Sequence, residues 1–193
     1  MPIEIRNGPE GAPNEGAFED GQQLTVIGRK LQIGEVIPDV LLRNSATPHI
    51  HRGETRPRNL GASYLLYSVN GFATPVCEVE ARECQKLVIV GKIPRNITLF
   101  GLSNEDSVFL ELWSQQNGIN FPHHQLLSSK DSDAGFKLGL YIPEYDGQLQ
   151  RALFGVVAGR LVHTEYIYDQ GGPQPDFNAA IDAVRVATYS DSI

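Results

Sequence analysis

The residues best suited to chemistry in this sequence are its two cysteines, Cys77 and Cys84. Two thiols are too few for a disulfide framework or for a zinc site built from four thiolates. Because a free cysteine commonly packs as a small hydrophobic residue, each is either a core residue or a reactive thiol. The residues around each cysteine must decide between these two interpretations.

Cys77 follows directly on Thr74, Pro75 and Val76. Thr is favoured at the N-cap of a helix, and Pro is favoured at the first helical position because its missing N–H needs no partner there. The pattern predicts a helix that begins at Pro75 and carries Cys77 in its first turn. The helix dipole and the unpaired N–H groups of that turn favour the thiolate. Glu78 and Glu80 add negative charge nearby, so a cationic partner is needed from elsewhere in the chain.

The elements around this site follow from hydrophobic periodicity. Residues 62–69 form an apolar and aromatic run that is typical of a buried central strand. Residues 75–90 have helical spacing, with Cys77, Ala81, Cys84 and Val88 on one apolar face. The later patterns predict a strand over 96–102, a helix over 105–117 closed by Gly118, a short strand over 125–128, a helical turn over 131–138, a hairpin of 151–157 and 161–168, and a last helix over 175–188. This order indicates an α/β protein with a mixed central sheet and helices on both faces.

The N-terminal part is less regular. Residues 1–23 are rich in Gly, Pro, Asn and Glu, which predicts a flexible arm. Residues 24–27 and 31–33 flank a short turn and predict an N-terminal β-hairpin, followed by an entry segment or edge strand over 36–42 and a surface loop over 43–59 with room for one short strand. We therefore expect one domain over 24–188 and a short C-terminal tail over 189–193.

Composition excludes several classes of function. A net charge of −7 with no basic run argues against binding to nucleic acid or to an anionic membrane surface. No apolar run is long enough to cross a bilayer, and no signal peptide is visible, so we expect a cytoplasmic protein. The histidine pairs His49 and His51, and His123 and His124, lack companion ligands, so we expect solvated side chains, no metal site and no cofactor.

The stretch from Asn70 to Cys77 resembles the Pro-x-x-x-Thr-x-x-Cys signature of the thiol peroxidase branch of the peroxiredoxins. Thr74 and Cys77 match, and Asn70 stands where the family has Pro. Residues 24–42, 96–119 and 151–184 resemble further parts of that family, so the resemblance extends over nearly all of 24–188. It implies a thioredoxin-like fold and a thiol-dependent peroxidase for hydrogen peroxide or organic hydroperoxides, in which Cys77 attacks the peroxide and becomes a sulfenic acid. It also implies a homodimer.

The same resemblance assigns catalytic roles to Thr74 and Arg151 beside Cys77. Arg151 begins the predicted last hairpin, where the family has an arginine that reaches the reactive cysteine. A guanidinium beside a thiol lowers its pKa and can donate to both peroxide oxygens. The alternative for Arg151 is a solvated charge at a strand end. The Thr74 hydroxyl could both cap the helix and contact the thiolate or the peroxide.

The chain departs from the family at the motif Pro and at the resolving thiol. Asn70 predicts a wetter and more polar pocket than the Pro would give. The family places its resolving cysteine in the helix that corresponds to 105–117, which here contains Trp113 and Ser114 near that position but no Cys. Cys84 lies about 10 Å along the helix from Cys77, which is too far for a disulfide without unwinding. We therefore expect a structural Cys84 and reduction of Cys77 by an external thiol such as thioredoxin or glutaredoxin.

Two other functions remain open from the sequence. The chain could be a non-catalytic thioredoxin-fold protein that keeps the scaffold for binding or for dimer formation. It could also be a redox sensor, in which a partner recognises oxidised Cys77. The presence of Thr74, Cys77 and Arg151 together favours catalysis, because a decayed site has no need to keep all three.

Overall fold

The computed structural model describes residues 16–45, 53–119 and 122–190. Its strands are β1 (Ala17–Glu19), β2 (Gln22–Leu24), β3 (Leu42–Asn44), β4 (Glu54–Thr55), β5 (Ser63–Ser68), β6 (Thr98–Ser103), β7 (His124–Ser128), β8 (Tyr141–Ile142), β9 (Gln148–Leu149), β10 (Ala152–Val157) and β11 (Arg160–Tyr166). Its α-helices are α1 (Pro75–Ile89), α2 (Ser107–Gln116), α3 (Ala134–Lys137) and α4 (Phe177–Ser190). Pro57–Asn59 and Pro143–Tyr145 form short 3₁₀ turns.

The central sheet has seven strands in the order β11-β10-β5-β6-β7-β3-β4. β5 pairs parallel with β6 and antiparallel with β10, so the sheet is mixed. The pairing of β5 with β10 confirms that the stretches 62–69 and 151–157 are neighbours. All six residues of each of these two strands are buried, which explains why both appear as continuous apolar runs.

Side chains that alternate along β5 supply both faces of the sheet. Leu65 and Tyr67 pack in one cluster with side chains of α1, α2 and α4. Tyr64 and Leu66 pack on the opposite face with residues 31–42 and the region around α3. The predicted α/β class, a mixed sheet covered on both faces, is confirmed.

The N-terminal hairpin lies earlier in the chain than the sequence predicted. β1 and β2 pair across Asp20 and Gly21, both at positive φ, as a two-residue hairpin turn requires. The prediction of a flexible arm is therefore wrong for residues 17–23, and residues 1–15 lie outside the described residues. The hairpin predicted over 24–27 and 31–33 is also wrong, because the N–H of Ile27 donates to the Tyr141 carbonyl instead of to a hairpin partner.

Other differences are smaller. The edge strand predicted over 36–42 begins only at Leu42, and part of the predicted loop over 43–59 pairs as β3 and β4. The small antiparallel pair β8 and β9 was not predicted at all. The last helix continues to Ser190, so residues 189 and 190 of the expected tail are helical.

Candidate active site

Cys77 lies in the first turn of α1, close to the end of the central strand β5. Thr74 is the N-cap residue, with extended backbone angles, and Pro75 is the first helical residue. The Thr74 hydroxyl lies 2.8 Å from the Gly71 carbonyl oxygen and makes no capping bond to the helix. The hydroxyl is therefore directed at the turn before the helix, on the side of the thiol.

Burial controls the acidity of Cys77, whose side chain is almost completely enclosed. Burial raises the pKa of Cys77, and the negative charge of Glu80 raises it further. Hydrogen bonds from the Thr74 hydroxyl and from the backbone of Gly71 and Asn70 act in the opposite direction without cancelling the effect of burial. The pKa shift is thus opposite to the one that a helix N-terminus alone predicts, and the thiol is the resting form at neutral pH.

The Thr74 hydroxyl has only one proton to donate. In the resting geometry this proton goes to the Gly71 carbonyl. When Cys77 loses its proton, the hydroxyl can rotate and donate to the thiolate instead, which is the contact that lowers the pKa of Cys77. That Thr74 stabilises the thiolate stays a prediction.

Arg151 is completely buried, so its interpretation as a solvated charge is wrong. Its Nε and Nη2 atoms lie 2.9 and 2.8 Å from Glu80 Oε2. Nη1 donates to the carbonyls of Gln170 and Gly172, and Nη2 also donates to that of Pro173. These five contacts match the five N–H groups of a guanidinium. The cation thus neutralises Glu80, and a direct contact between Arg151 and the Cys77 sulfur stays a prediction.

Glu80 is the residue whose role the sequence did not indicate. It lies on α1 three residues after Cys77, on the same side of the helix. Its side chain is fully buried, and its Oε1 has no hydrogen-bond partner within the described parts of the chain. Burial raises the pKa of Glu80 to about 7, although the attraction of Arg151 lowers it. The spacing from Cys77 was visible in the sequence, but its partner 71 residues away was not.

An opening in the surface lies over the start of α1. Its volume is about 320 Å³, and Thr74, Pro75 and Val76 form one side of it. The remaining lining residues are Glu19, Asn70, Tyr145, Gln148 and Gln170. Gln170 and Tyr145 were not singled out by sequence reasoning, since no local pattern connects them with Cys77.

Three carboxylates act electrostatically on Tyr145, which lines this opening, and we call Glu19, Asp20 and Glu144 the acidic rim; of the three, Glu19 lines the opening itself. The Tyr145 hydroxyl donates a hydrogen bond to Glu19. Burial, this hydrogen bond and the negative charges of the acidic rim together raise the pKa of Tyr145 to about 12. The approach to the opening therefore carries negative charge.

Cys84 lies inside the core, in the cluster that joins α1 to the sheet. Both cysteines are free thiols. Burial raises the pKa of Cys84 far above its ordinary value, which keeps it protonated. These observations agree with the expected structural role of Cys84.

The expectation of solvated histidines is wrong for His124. Its ring is buried, with Nε2 2.9 Å from the Tyr67 hydroxyl and Nδ1 2.9 Å from Gln85 Oε1. Burial lowers the pKa of His124 to about 3, so the ring is neutral. His49 and His51 lie outside the described residues. Within the described ranges, no three His, Cys, Asp or Glu side chains form a group that could hold a metal ion.

No helix among the described residues has both the length and the apolar character needed to cross a bilayer.

No protein-family model matches the chain. A thiol peroxidase from Clostridium acetobutylicum is 24% identical to it over 171 residues, which cover 86% of this chain and 96% of that protein.

Solved structures extend the comparison. A peroxiredoxin-like protein from Aquifex aeolicus superposes with a TM-score of 0.75 at 17% identity, covering 91% of this chain and 99% of that one. A thiol peroxidase from Chromobacterium violaceum gives a TM-score of 0.73 at 15% identity, covering 93% and 99%. The thioredoxin-like fold and the resemblance to the thiol peroxidases are thus confirmed: the chain is similar in sequence to a thiol peroxidase and in fold to peroxiredoxins along most of its length.

Proposed function

We propose that this chain is a thiol-dependent peroxidase that reduces hydrogen peroxide or organic hydroperoxides through Cys77. The observation that carries the proposal is the position of Cys77 in the first turn of α1, directly after Thr74, Pro75 and Val76, which line an opening of about 320 Å³. A hydroperoxide is small enough to enter this volume. The similarity to a thiol peroxidase along most of the chain supports the same reaction.

The reaction begins with the loss of the thiol proton from Cys77. The thiolate attacks one peroxide oxygen, an S–O bond forms, and the O–O bond breaks. The leaving alkoxide or hydroxide takes up a proton, so that the products are a Cys77 sulfenic acid and an alcohol or water. Two equivalents of an external thiol then reduce the sulfenic acid, releasing water and a disulfide.

Thr74 and Arg151 have different parts in this proposal. The Thr74 hydroxyl and the backbone groups of Gly71 and Asn70 stabilise the thiolate, since each lowers the pKa of Cys77. Arg151 neutralises Glu80, whose charge would otherwise raise that pKa further. Direct donation from Arg151 to the peroxide would require it to exchange at least one of its present acceptors.

We further propose that an external thiol such as thioredoxin or glutaredoxin is the reductant. Cys84 is buried in the core and seven residues from Cys77, about 10 Å along the helix. A disulfide needs Cα atoms about 4.4–6.8 Å apart, so helix α1 would have to unwind before Cys77 and Cys84 could form one. We also propose a cytoplasmic location and a homodimer.

The test is mass spectrometry of the purified protein after one equivalent of hydrogen peroxide, together with thiol-dependent peroxide consumption. We expect one added oxygen on Cys77 and many turnovers per chain when a dithiol is supplied. Cys77→Ser should abolish both signals. Turnover that persists in Cys77→Ser would refute the proposal.

The alternative is a redox sensor or a non-catalytic protein of the same fold. The raised pKa of the buried Cys77 favours this alternative, because a protonated thiol reacts slowly with peroxide. The number of turnovers separates the two functions. A sensor is oxidised once by stoichiometric peroxide and does not sustain consumption in the presence of excess thiol.

A further inference from the structure

Asn70 begins the turn that leads to Cys77, and it is a buried polar residue. Its Nδ2 lies 2.8 Å from the Leu149 carbonyl oxygen and 3.1 Å from Gln170 Oε1. Both of these atoms are acceptors, so the side chain must present its amide nitrogen to them. A proline at this position would have no such donor.

Gln170 is buried as well, and its amide is fully used. Oε1 accepts from Asn70 and from the backbone N–H of Arg151, at 2.9 Å. Nε2 donates to the carbonyls of Ile167 and Tyr168, at 2.6 and 3.3 Å. Because the backbone groups fix which end of the amide is oxygen, only Oε1 can face Asn70.

The same segment holds the chain on the other side of Cys77. The carbonyl of Gln170 accepts from Arg151 Nη1 at 3.1 Å, and the Arg151 guanidinium holds Glu80 on α1. Residues 70–80 are thus fastened at both ends, at Asn70 and at Glu80, to one buried polar network. Cys77 lies between these two fixed points.

We propose that Asn70 and Gln170 form a positioning pair that holds the turn at 70–74 so that its backbone groups and Thr74 can stabilise the Cys77 thiolate. The proposal rests on the proposed function, in which this thiolate attacks the peroxide. The backbone groups of Asn70 and Gly71 and the hydroxyl of Thr74 are the contacts that lower the pKa of Cys77. Asn70 and Gln170 also line the opening over the helix start.

The consequence is that the pair controls the Cys77 thiol without touching the peroxide. If the link breaks, the turn is free to shift and the thiolate loses its donors, while bulky reagents gain access to a thiol that is otherwise enclosed. Reaction with peroxide at neutral pH should therefore become slower, while alkylation of the fully ionised Cys77 thiol should become faster. Loss of general stability would not produce this opposite pair of changes at a temperature where all variants are folded.

The experiment uses Asn70→Ala, Asn70→Ser and Gln170→Ala, each in a Cys84→Ala background so that only Cys77 is modified. The Asn70→Ser hydroxyl is too short to reach both acceptors, and this milder change serves if Asn70→Ala does not fold. The matched control is Asn44→Ala, which removes another Asn–Gln contact, between Asn44 Nδ2 and Gln125 Oε1, at the distant pairing of β3 with β7.

The readouts are the rate of sulfenic acid formation with hydrogen peroxide and the pH dependence of Cys77 alkylation by iodoacetamide. We expect about tenfold slower sulfenic acid formation, corresponding to about one lost hydrogen bond to the thiolate, and a Cys77 pKa higher than that of the control. At a pH where Cys77 is ionised in every variant, alkylation of Cys77 in the Asn70 and Gln170 variants should be faster than in the Asn44→Ala control.

The double variant, Asn70→Ala with Gln170→Ala, should be no slower than the worse single variant, because both changes break the same link. Additive losses, or single variants that match Asn44→Ala in the Cys77 pKa and in both rates, would overturn the proposal. Alkylation needs no peroxidase activity. If the parent protein forms no sulfenic acid, the proposed function fails, while the alkylation data still decide whether the pair positions the thiol.

Discussion

Replacing Arg151 by Met should destabilise the fold strongly, and by an amount that depends on pH. The change removes five contacts of a buried guanidinium and leaves Glu80 without a partner for Oε2, while Oε1 already has none. Removing one partner of a buried ion pair costs about 3–5 kcal/mol. We expect this loss in the free energy of unfolding at pH 8, where Glu80 would otherwise be charged.

The sign of the pH dependence follows from the pKa of Glu80. Burial raises it from an ordinary value of 4.5 to about 7 in the folded protein. The folded state therefore binds the Glu80 proton more tightly than the unfolded state, and stability falls as the pH rises from about 4.5 through 7. For this group the fall is roughly 3 kcal/mol, at about 1.4 kcal/mol per pKa unit. Without Arg151 the pKa of Glu80 rises further, so the penalty of Arg151→Met should shrink at pH 5.5, where Glu80 is neutral. The cost that remains there, about 1–2 kcal/mol, comes from the carbonyl acceptors that lose Arg151 as a donor.

The assay is urea unfolding under reducing conditions at pH 5.5 and pH 8.0. Arg185→Met, which removes an exposed arginine from α4, is the control and should change stability by less than about 0.5 kcal/mol at both pH values. The double variant Glu80→Leu with Arg151→Met should recover much of the loss, because no buried charge remains. A penalty for Arg151→Met that is equal at the two pH values, or no larger than that of the control, would contradict this account of the pair.

Three further predictions concern the core, the second cysteine and the opening. Gly101→Ala should lower the free energy of unfolding by about 1–3 kcal/mol in urea titrations, because the new Cβ would lie 2.6 Å from the Tyr67 hydroxyl; unchanged stability would refute this. Cys84→Ser should leave thiol-dependent peroxide turnover almost intact while Cys77→Ser abolishes it, and equal losses with a Cys77–Cys84 disulfide in the oxidised wild type would refute the one-cysteine cycle. Because of the acidic rim, hydroperoxides that bear a carboxylate should react about three- to tenfold more slowly than neutral hydroperoxides of similar size in stopped-flow measurements. If the ratio of these two rates does not change with salt concentration, the charge effect is refuted.

The sequence by itself determined the features that depend on neighbours along the chain. Pro75 at the first position of α1 and Thr74 before it are local signals, so the place of Cys77 in the first helical turn could be predicted. The continuous apolar runs of β5 and β10 likewise follow from burial on both faces of the sheet. The turn at Asp20 and Gly21 is also a local signal, although the composition of the residues around it predicts a flexible arm.

Only the tertiary structure decided the electrostatics of the site. From the sequence alone, Glu80 is an unfavourable negative charge near Cys77. In the structure, Arg151, which lies 71 residues away along the chain, pairs with this charge. Asn70 is joined to Gln170 across 100 residues, and His124 to Tyr67 across 57. Burial of these groups depends on which strands become neighbours in the sheet. Burial in turn determines whether a polar side chain is solvated or paired, and whether its pKa is shifted. Local spacing contains no information about that dehydration, which is why the position of the thiol was predictable while its raised pKa was not.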